Sequence, residues 1–525
     1  MKTTFSYYFA FGLTILFLKI GVQITATNKT VSSVKKVEQA ITNLLPGDTL
    51  LIADGVYNNI QLILKKSGKE NAPIIIRAKN RGKVVFSGDI KIEMHGTYNV
   101  LDGIFFKDGN RNPDEWSTHG PGLVAIYGSH NRITQCSFHA FDQANSAYIT
   151  TSLTEDGQVP QYCRIDHCSF TEKITFDQVI NLNNVAKKDI KKGTQGIPMY
   201  HRIDHCYFSN PKKPGNAGGG IRVGYWRSDY GRCLIDNNLF ERQDSEPEII
   251  TSKSMENVYY NNTYKNCAGT LNFRHGDKQV AINNFFIGTD SMREYGGIFV
   301  WGSGHIIANN YFNLPTTLKS RGNAALFLNC GAVGDEHALA FDLRIINNYF
   351  DRNNGYAINF SALYERRIKY CSDKGTKFEQ PRDILLANNL FTSDKKYTFP
   401  LFYRQNKGGR NIDWNDNTAL NSSTNFKIKT GIKFDKSKLS DNWQAEFTKH
   451  FNHNKSDYTS ILYNIEGINL DIPHIVSQGI KGEPLSFEDV GPCWLLEIPG
   501  TYAQTGKLSK SLQKKFKEVI NKRKK

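Results

Sequence analysis

The chain has 525 residues, 39% of them hydrophobic, with 25 Tyr, 32 Phe and a formal charge of +16 from 66 Lys plus Arg against 50 Asp plus Glu. A positive surplus on this scale points to a polyanionic partner rather than a neutral one. No nucleic-acid-binding motif accompanies it, and no segment beyond the N-terminus is long and apolar enough to cross a bilayer, so nucleic-acid recognition and stable membrane insertion are set aside.

The N-terminus opens with Met1 and Lys2, an apolar run from about Phe5 to Ile20 interrupted by Lys19, and small residues near Thr25 and Ala26. That pattern reads as an export signal over residues 1–26 and predicts delivery to the periplasm or the exterior. A membrane anchor is the competing reading, though the run is shorter than a span of ~20 apolar residues.

Residues 27–525 then read as one domain, because a repeat runs through most of them. The motif apolar-x-Asn/Asp-Asn/His/Cys-x-Phe recurs as RITQCSF at 132, RIDHCSF at 164, RIDHCYF at 202, CLIDNNLF at 233, VYYNNTY at 258, AINNFF at 281, IIANNYF at 306, RIINNYF at 344 and LLANNLF at 385. Its terminal aromatics, from Phe138 to Phe391, are spaced by 32, 38, 32, 24, 22, 26, 38 and 41 residues. A minimal coil of 22–26 residues with insertions in some coils is a solenoid period. Each copy is short, β-rich and followed by polar turn residues, which predicts a parallel β-helix rather than a helical repeat. The repeat is clearest over 99–391, and buried Asn at the recurrent slot should stack as a side-chain ladder between coils.

Nine cysteines are an odd number, and Cys136, Cys168 and Cys206 share one slot of successive motifs. They are expected to stack in the core as small hydrophobes. Cys163 and Cys168 lie near each other but lack the Cys-x-x-Cys spacing of zinc sites. His167 and His205 likewise share a slot and read as ladder histidines rather than metal ligands. After about residue 400 the repeat fades, and residues 507–525 read as a basic amphipathic helix with Leu512, Phe516 and Ile520 on one face, expected to pack against the solenoid end.

Chemistry concentrates between Asn216 and Gly276. Asn216 and Glu248 each lie 8 residues after a motif aromatic, Phe208 and Phe240, which predicts that they sit on adjacent coils about 4.8 Å apart. Glu246 shares the strand face of Glu248. One amide oxygen and two carboxylates are hard ligands suited to calcium, although Glu-x-Glu alone also describes a solvated acidic strand edge. Lys253 and Arg274 are 21 residues apart, close to one coil, and each alone reads as a solvated cation. Beside a cation site and an arginine, however, a lysine loses its proton more easily and becomes an amine base. Together these groups suit removal of the proton alpha to a uronate carboxylate, with β-elimination of the 4-linked oxygen. Tyr225, Phe299 and Trp301 are candidate sugar-contact surfaces, with core or edge packing as the alternative.

The segments GNAGGGIRVGYWR at 215–227, RQDSEPEIITSKSMENVYY at 242–260 and LNFRHGD at 271–277 resemble polysaccharide lyase family 6, in its chondroitinase B branch. STHGPG at 117–122, ANSAYITTSLTEDG at 144–157, KITFDQVINLNN at 173–184, SRGNAAL at 320–326 and PGTYAQT at 499–505 are also similar, so the resemblance spans nearly all of 27–525.

The resemblance implies a single right-handed parallel β-helix with inserted loops and a C-terminal cap. It implies a calcium-assisted lyase that cleaves dermatan sulfate, a sulfated glycosaminoglycan, at iduronate linkages to give 4,5-unsaturated products. Lys253 resembles the family's base and Arg274 the residue assigned as acid, a role that an arginine fills better as a charge-stabilising donor while water delivers the proton. Asn216, Glu246 and Glu248 match calcium ligands. His119, His275 and Glu336 match residues that line the site, and Arg321, Arg366 and Arg367 match substrate-binding arginines, whose planar forks suit sulfate and carboxylate. Lys187, in VAKKDIKKG, stands where the family carries arginine, keeping the charge but losing the bidentate geometry. A monomer is expected. Alginate lyase activity and noncatalytic polyanion binding are the readings kept beside dermatan sulfate cleavage.

Overall fold

The computed structural model describes residues 27–109, 121–141, 146–185, 196–213, 218–394, 399–452, 457–495 and 501–524. Three parallel sheets of 14, 14 and 12 strands share the chain between them. A typical coil gives one short strand to each, as Leu234–Asp236, Leu239–Glu241 and Glu248–Ser252 do to the first, second and third sheets. Successive coils pair in parallel and in register, for example Ile165 with Ile203 and Phe170 with Phe208. The architecture is the right-handed parallel β-helix, the hand that parallel crossovers adopt. Its first strand is Asn28–Val31 and its last Ile432–Asp435, so coils extend beyond both ends of the recognisable motif.

Each motif is the corner between the first two sheets. The residue before the ladder slot adopts a left-handed backbone in coil after coil, at Gln135, His167, His205, Asn237, Asn261, Asn283, Asn309, Asn347 and Asn388, with φ between 48° and 56°. Asn and His tolerate that region better than most residues, which explains the composition of the slot. The next residue is buried and carries the ladder. The Oδ1 of Asn310 accepts both the backbone N–H and the Nδ2 of Asn284 at 3.0 Å, while its own Nδ2 donates to Ala281 O at 2.9 Å. The same arrangement links Asn238, Asn262, Asn284, Asn310, Asn348, Asn389 and Asn417.

Upstream of Asn238 the slot holds Cys136, Cys168 and Cys206, all buried, and Cys206 N–H donates to Asn238 Oδ1 at 2.9 Å. Cys163 belongs to a second ladder at the next corner, where it shares a slot with Cys233, His201 and Asn257. All nine cysteines are free and eight are buried. His167 and His205 stack at 4.9 Å, each against its neighbouring aspartate. Inside the helix the motif aromatics form one column from Phe106 to Phe391, with ring centroids 4.3–5.2 Å apart.

The open core is covered at its start by the helix Val34–Ala40, which buries Val37 and Ala40. At the other end Trp414, Phe426, Ile428 and Ile432 close it. The segment after residue 435 then turns back along the outside. Phe447 and Ile480 pack on Phe285, Tyr311 and Tyr349; Ile472 and Val476 pack on Val258, Val280 and Ile306. Farther back, Trp494 Nε1 donates to Gln135 O at 2.7 Å. The helix Lys510–Lys524 does not cap an end as the sequence suggested: Val519 buries itself against Phe176 on the flank, because both ends are already covered.

Substituting Asn310→Ala removes the acceptor of the Asn284 backbone N–H, while Asn284 Nδ2 keeps the carbonyls of Tyr259 and Ile282, and leaving a buried donor unpaired costs about 1–3 kcal/mol. The variant should unfold at a clearly lower denaturant midpoint with an unchanged slope. A midpoint equal to that of the parent protein would mean that the ladder contributes nothing.

Candidate active site

Strand alternation sends Ile221, Val223, Ile250, Ser252, Leu271, Phe273, Ile298 and Val300 into the core, and Arg222, Thr251, Asn272 and Phe299 onto the outer face of the third sheet. Just past these strands, Gly224, Lys253, Arg274 and Trp301 form a second outward row. Backbone bonds from Lys253 N to Val223 O and from Arg274 N to Ser252 O, both 2.8 Å, set Lys253 and Arg274 on adjacent coils in register. Their spacing of 21 residues is therefore one turn, as the sequence suggested.

The register of the described strands fixes what lies against Glu248. Ile221 pairs with Ile250, and this brings Gly219 against Glu248. A Cβ on Gly219 would lie 2.1 Å from Glu248 O, so the glycine run 218–220 is what admits the acidic strand. Asn216 itself, with His119 and Lys187, lies outside the described residues.

Glu246 and Glu248 are both about nine-tenths buried. Burial first, and the Glu248 charge second, push the Glu246 carboxyl up to about 7. Its Oε2 has no hydrogen-bond partner among the described residues, nor does the buried Lys213 Nζ. An unpartnered carboxylate oxygen beside a second buried carboxylate is a hard donor set that fits a divalent cation such as calcium. Among the described residues no cluster of three or more His, Cys, Asp or Glu forms.

Lys253 Nζ sits 4.8 Å from the ring centroid of Tyr225, and the guanidinium of Arg222 lies over the same ring at 5.4 Å. Burial, then the charge of Arg222, lower the Lys253 pKa to about 8. Arg274 is held on three sides. Its Nε faces Glu248 Oε1 at 3.4 Å, its Nη1 meets His337 Nδ1 at 3.1 Å, and its guanidinium lies 3.6 Å from the centroid of Trp301. Burial followed by the nearby Lys253 holds His275 well below the usual imidazole range, hence neutral.

Phe299 and Trp301 are not open sugar platforms. They are 0% and 1% exposed, roofed by arginine. Arg321 lies over Phe299 at 5.5 Å and reaches Glu248 at 3.7 Å, while Arg367 lies over Trp301 at 4.9 Å. Tyr225 alone of the three aromatics keeps a partly open face. Arg366 and Arg367 stand on the helix Tyr364–Lys374, Arg366 exposed and Arg367 buried with Nε on Asn329 Oδ1 at 3.2 Å. Glu336 is exposed on the loop 331–338, near enough to act electrostatically on Arg274. Arg222 and His337 complete the cluster, and neither was singled out from sequence. Arg222 occupies a strand position like many others, and His337 sits in an inserted loop with no repeat slot. A cavity of about 1120 Å³ between Arg352, Asp394, Phe434 and Lys436 lies at the far end of the solenoid, away from these groups.

Residues 31–471 match a family model described as Chondroitinase B. Among solved structures, the family 6 alginate lyase AlyGC superposes with a TM-score of 0.68 at 22% identity, over 90% of this chain and 60% of that one. A mannuronic acid specific polysaccharide family 6 lyase from human gut microbiota gives 0.63 at 21% identity, over 94% and 99% of the two chains. A family 6 polysaccharide lyase from Pseudopedobacter saltans gives 0.62 at 18% identity, over 89% and 100%. At these identities the likeness is one of fold. This chain spans about 60% of the length of AlyGC. No curated protein matches.

The roofed aromatics make a prediction about stability. Trp301→Ala should destabilise the fold by about 3–5 kcal/mol, as for other buried large-to-small changes, whereas Tyr225→Ala should cost much less. Equal losses in chemical denaturation would return Trp301 to the role of an exposed platform.

Proposed function

Because this chain belongs to the chondroitinase B family, within the family 6 polysaccharide lyases, we propose that it is an exported enzyme that cleaves dermatan sulfate by β-elimination at iduronate. The observation that carries the reading is Lys253, an amine with a pKa near 8 set one coil from Arg274, whose Nε faces Glu248 of the buried carboxylate pair. An isolated polyanion-binding surface has no use for a lysine that is half neutral near pH 8.

In this reading the Lys253 lone pair takes the C5 proton of the uronate. The electrons of that bond form the C4–C5 double bond as the C4–O4 bond breaks, and water returns a proton to the leaving oxygen. Arg274 stays charged and donates hydrogen bonds to the oxygen that gains charge, since a guanidinium is a poor acid. Neutral His275 can donate to the uronate without adding a competing charge beside Lys253. Glu246 and Glu248, with Asn216, would hold a calcium ion, which when bound neutralises the carboxylate on which charge accumulates.

Sulfated substrate is favoured over alginate by Arg274, Arg321 and Arg367 gathered above Phe299 and Trp301, with Arg366 beside them. Planar donor forks held on aromatic faces suit sulfate as well as carboxylate. Alginate is the second reading, since the structures described above include alginate lyases. Export rests on the leader; among the described residues no helix is long and apolar enough to cross a membrane. We also expect the enzyme to act as a monomer.

The test is formation of 4,5-unsaturated uronate, followed by its ultraviolet absorbance, on dermatan sulfate, chondroitin 4-sulfate and alginate, with calcium and with chelator. Product from dermatan sulfate alone, lost with chelator, is the expected result. Product from alginate alone moves the substrate, and no product from folded, calcium-loaded protein leaves the binding reading. Lys253→Ala should lower kcat by about 10²–10⁴-fold, the usual worth of a general base. Since the neutral amine is the active form, the rate should climb about tenfold per pH unit below pH 8 and level off above it. A rate that falls as pH rises from 6 to 8 would exclude Lys253 as the base.

A further inference from the structure

The inserted loop 331–338 brings a histidine to the candidate acid-side residue. His337 Nδ1 lies 3.1 Å from Arg274 Nη1, and its ring is wedged between Trp301, edge-on at 4.9 Å and 86°, and Tyr370 at 4.6 Å. The loop is pinned at its base and at its tip. Gly331 and Glu379 exchange backbone hydrogen bonds of 3.0 and 2.7 Å, and Leu339 N donates to Ala332 O at 3.1 Å. Asn329 Nδ2 donates to Ala338 O at 2.9 Å, and Arg227, from four coils earlier, donates through Nη1 to Gly334 O and Asp335 O.

A guanidinium only donates, so the contact requires an imidazole nitrogen with a free lone pair. His337 is therefore neutral, with its ring proton on Nε2 and Nδ1 as the acceptor. The surroundings agree: burial, then the charges of Arg367 and Arg274, hold its pKa down to about 3. We infer that His337 is a positioning residue for Arg274, a neutral acceptor that, with Glu248 at Nε and Trp301 under the plane, fixes the guanidinium where it meets the leaving oxygen. The inference rests on the lyase reading above and goes beyond it by giving the inserted loop a role in the chemistry. Three restraints on one planar group leave it little freedom, and the N–H bonds not facing Glu248 or His337 remain for the substrate.

The experiment is steady-state kinetics on the substrate that the wild-type protein cleaves, comparing His337→Ala, His337→Asn and His337→Lys. Asparagine sets its Oδ1 near the place of Nδ1 and keeps an acceptor, alanine removes it, and lysine offers only donors. We expect kcat to fall about 10- to 100-fold in the alanine variant with KM nearly unchanged, the usual cost of a misplaced group. The asparagine variant should stay within a few-fold of wild type, the lysine variant should be at least as poor as alanine, and added imidazole should restore part of the alanine activity. Equal losses in the alanine and asparagine variants without rescue, or a change in KM alone, would overturn the inference. Should the substitutions unfold the loop, ¹⁵N-histidine spectra of the wild-type protein still decide. An Nδ1 resonance of the unprotonated type through pH 5 to 8 is expected, and a protonated Nδ1 overturns it. A wild-type protein silent on every uronate polymer would sink the lyase reading itself, with normal ¹⁵N spectra marking that as the separate failure.

Discussion

Everything in this molecule depends on coils stacking in register. The parallel backbone bonds set the spacing, but they alone would allow a coil to slip by two residues and still bury an alternate set of side chains. The asparagine ladder removes that freedom. Each Oδ1 accepts two donors from the preceding coil while each Nδ2 reaches a carbonyl beyond, so a slip would strand buried polar groups in every coil at once. Above that frame, two residues one turn apart in sequence become neighbours on the surface, and Lys253 and Arg274 owe their proximity to it.

How far the sequence could be read follows from where loops enter the coil. The first two sheets and their corner have constant length, so the motif, the ladder and the stack from Phe138 to Phe391 could be located by counting. Between the second and third sheets the length varies, and offsets from the motif aromatic lose their meaning. There register, not counting, identifies Gly219 as the residue against Glu248. Lys253 and Arg274 survived the same counting because no insertion separates their coils. Exposure was harder still. Phe299 and Trp301 do lie on the outer face, as alternation requires, yet Arg321 and Arg367 arrive from inserted segments far along the chain and roof them. His337 had no periodic slot to betray it, and its partner is 63 residues away.

The site itself is a balance of buried charge. Glu246 and Glu248 repel each other, Lys253 and Arg222 repel each other, and neither pair is quenched by water. Such arrangements cost folding free energy and persist where function uses the shifted protonation states. A cation at the carboxylates and an anionic sugar over the arginines would each relieve part of that repulsion, so ligand and metal should bind cooperatively and stabilise the fold together.

The returning C-terminal segment changes the kind of object the solenoid is. A stack of coils that touch only their neighbours can fray from either end, one repeat at a time. Here Trp494 is bonded to Gln135 across 359 residues of sequence, and Phe447, Val476 and Val490 clasp the coils between. A later part of the chain thus buckles an earlier part in place, closing an open chain of domino-like units into a belt. The coils that carry the site are therefore held to one another through this belt as well as through their neighbours.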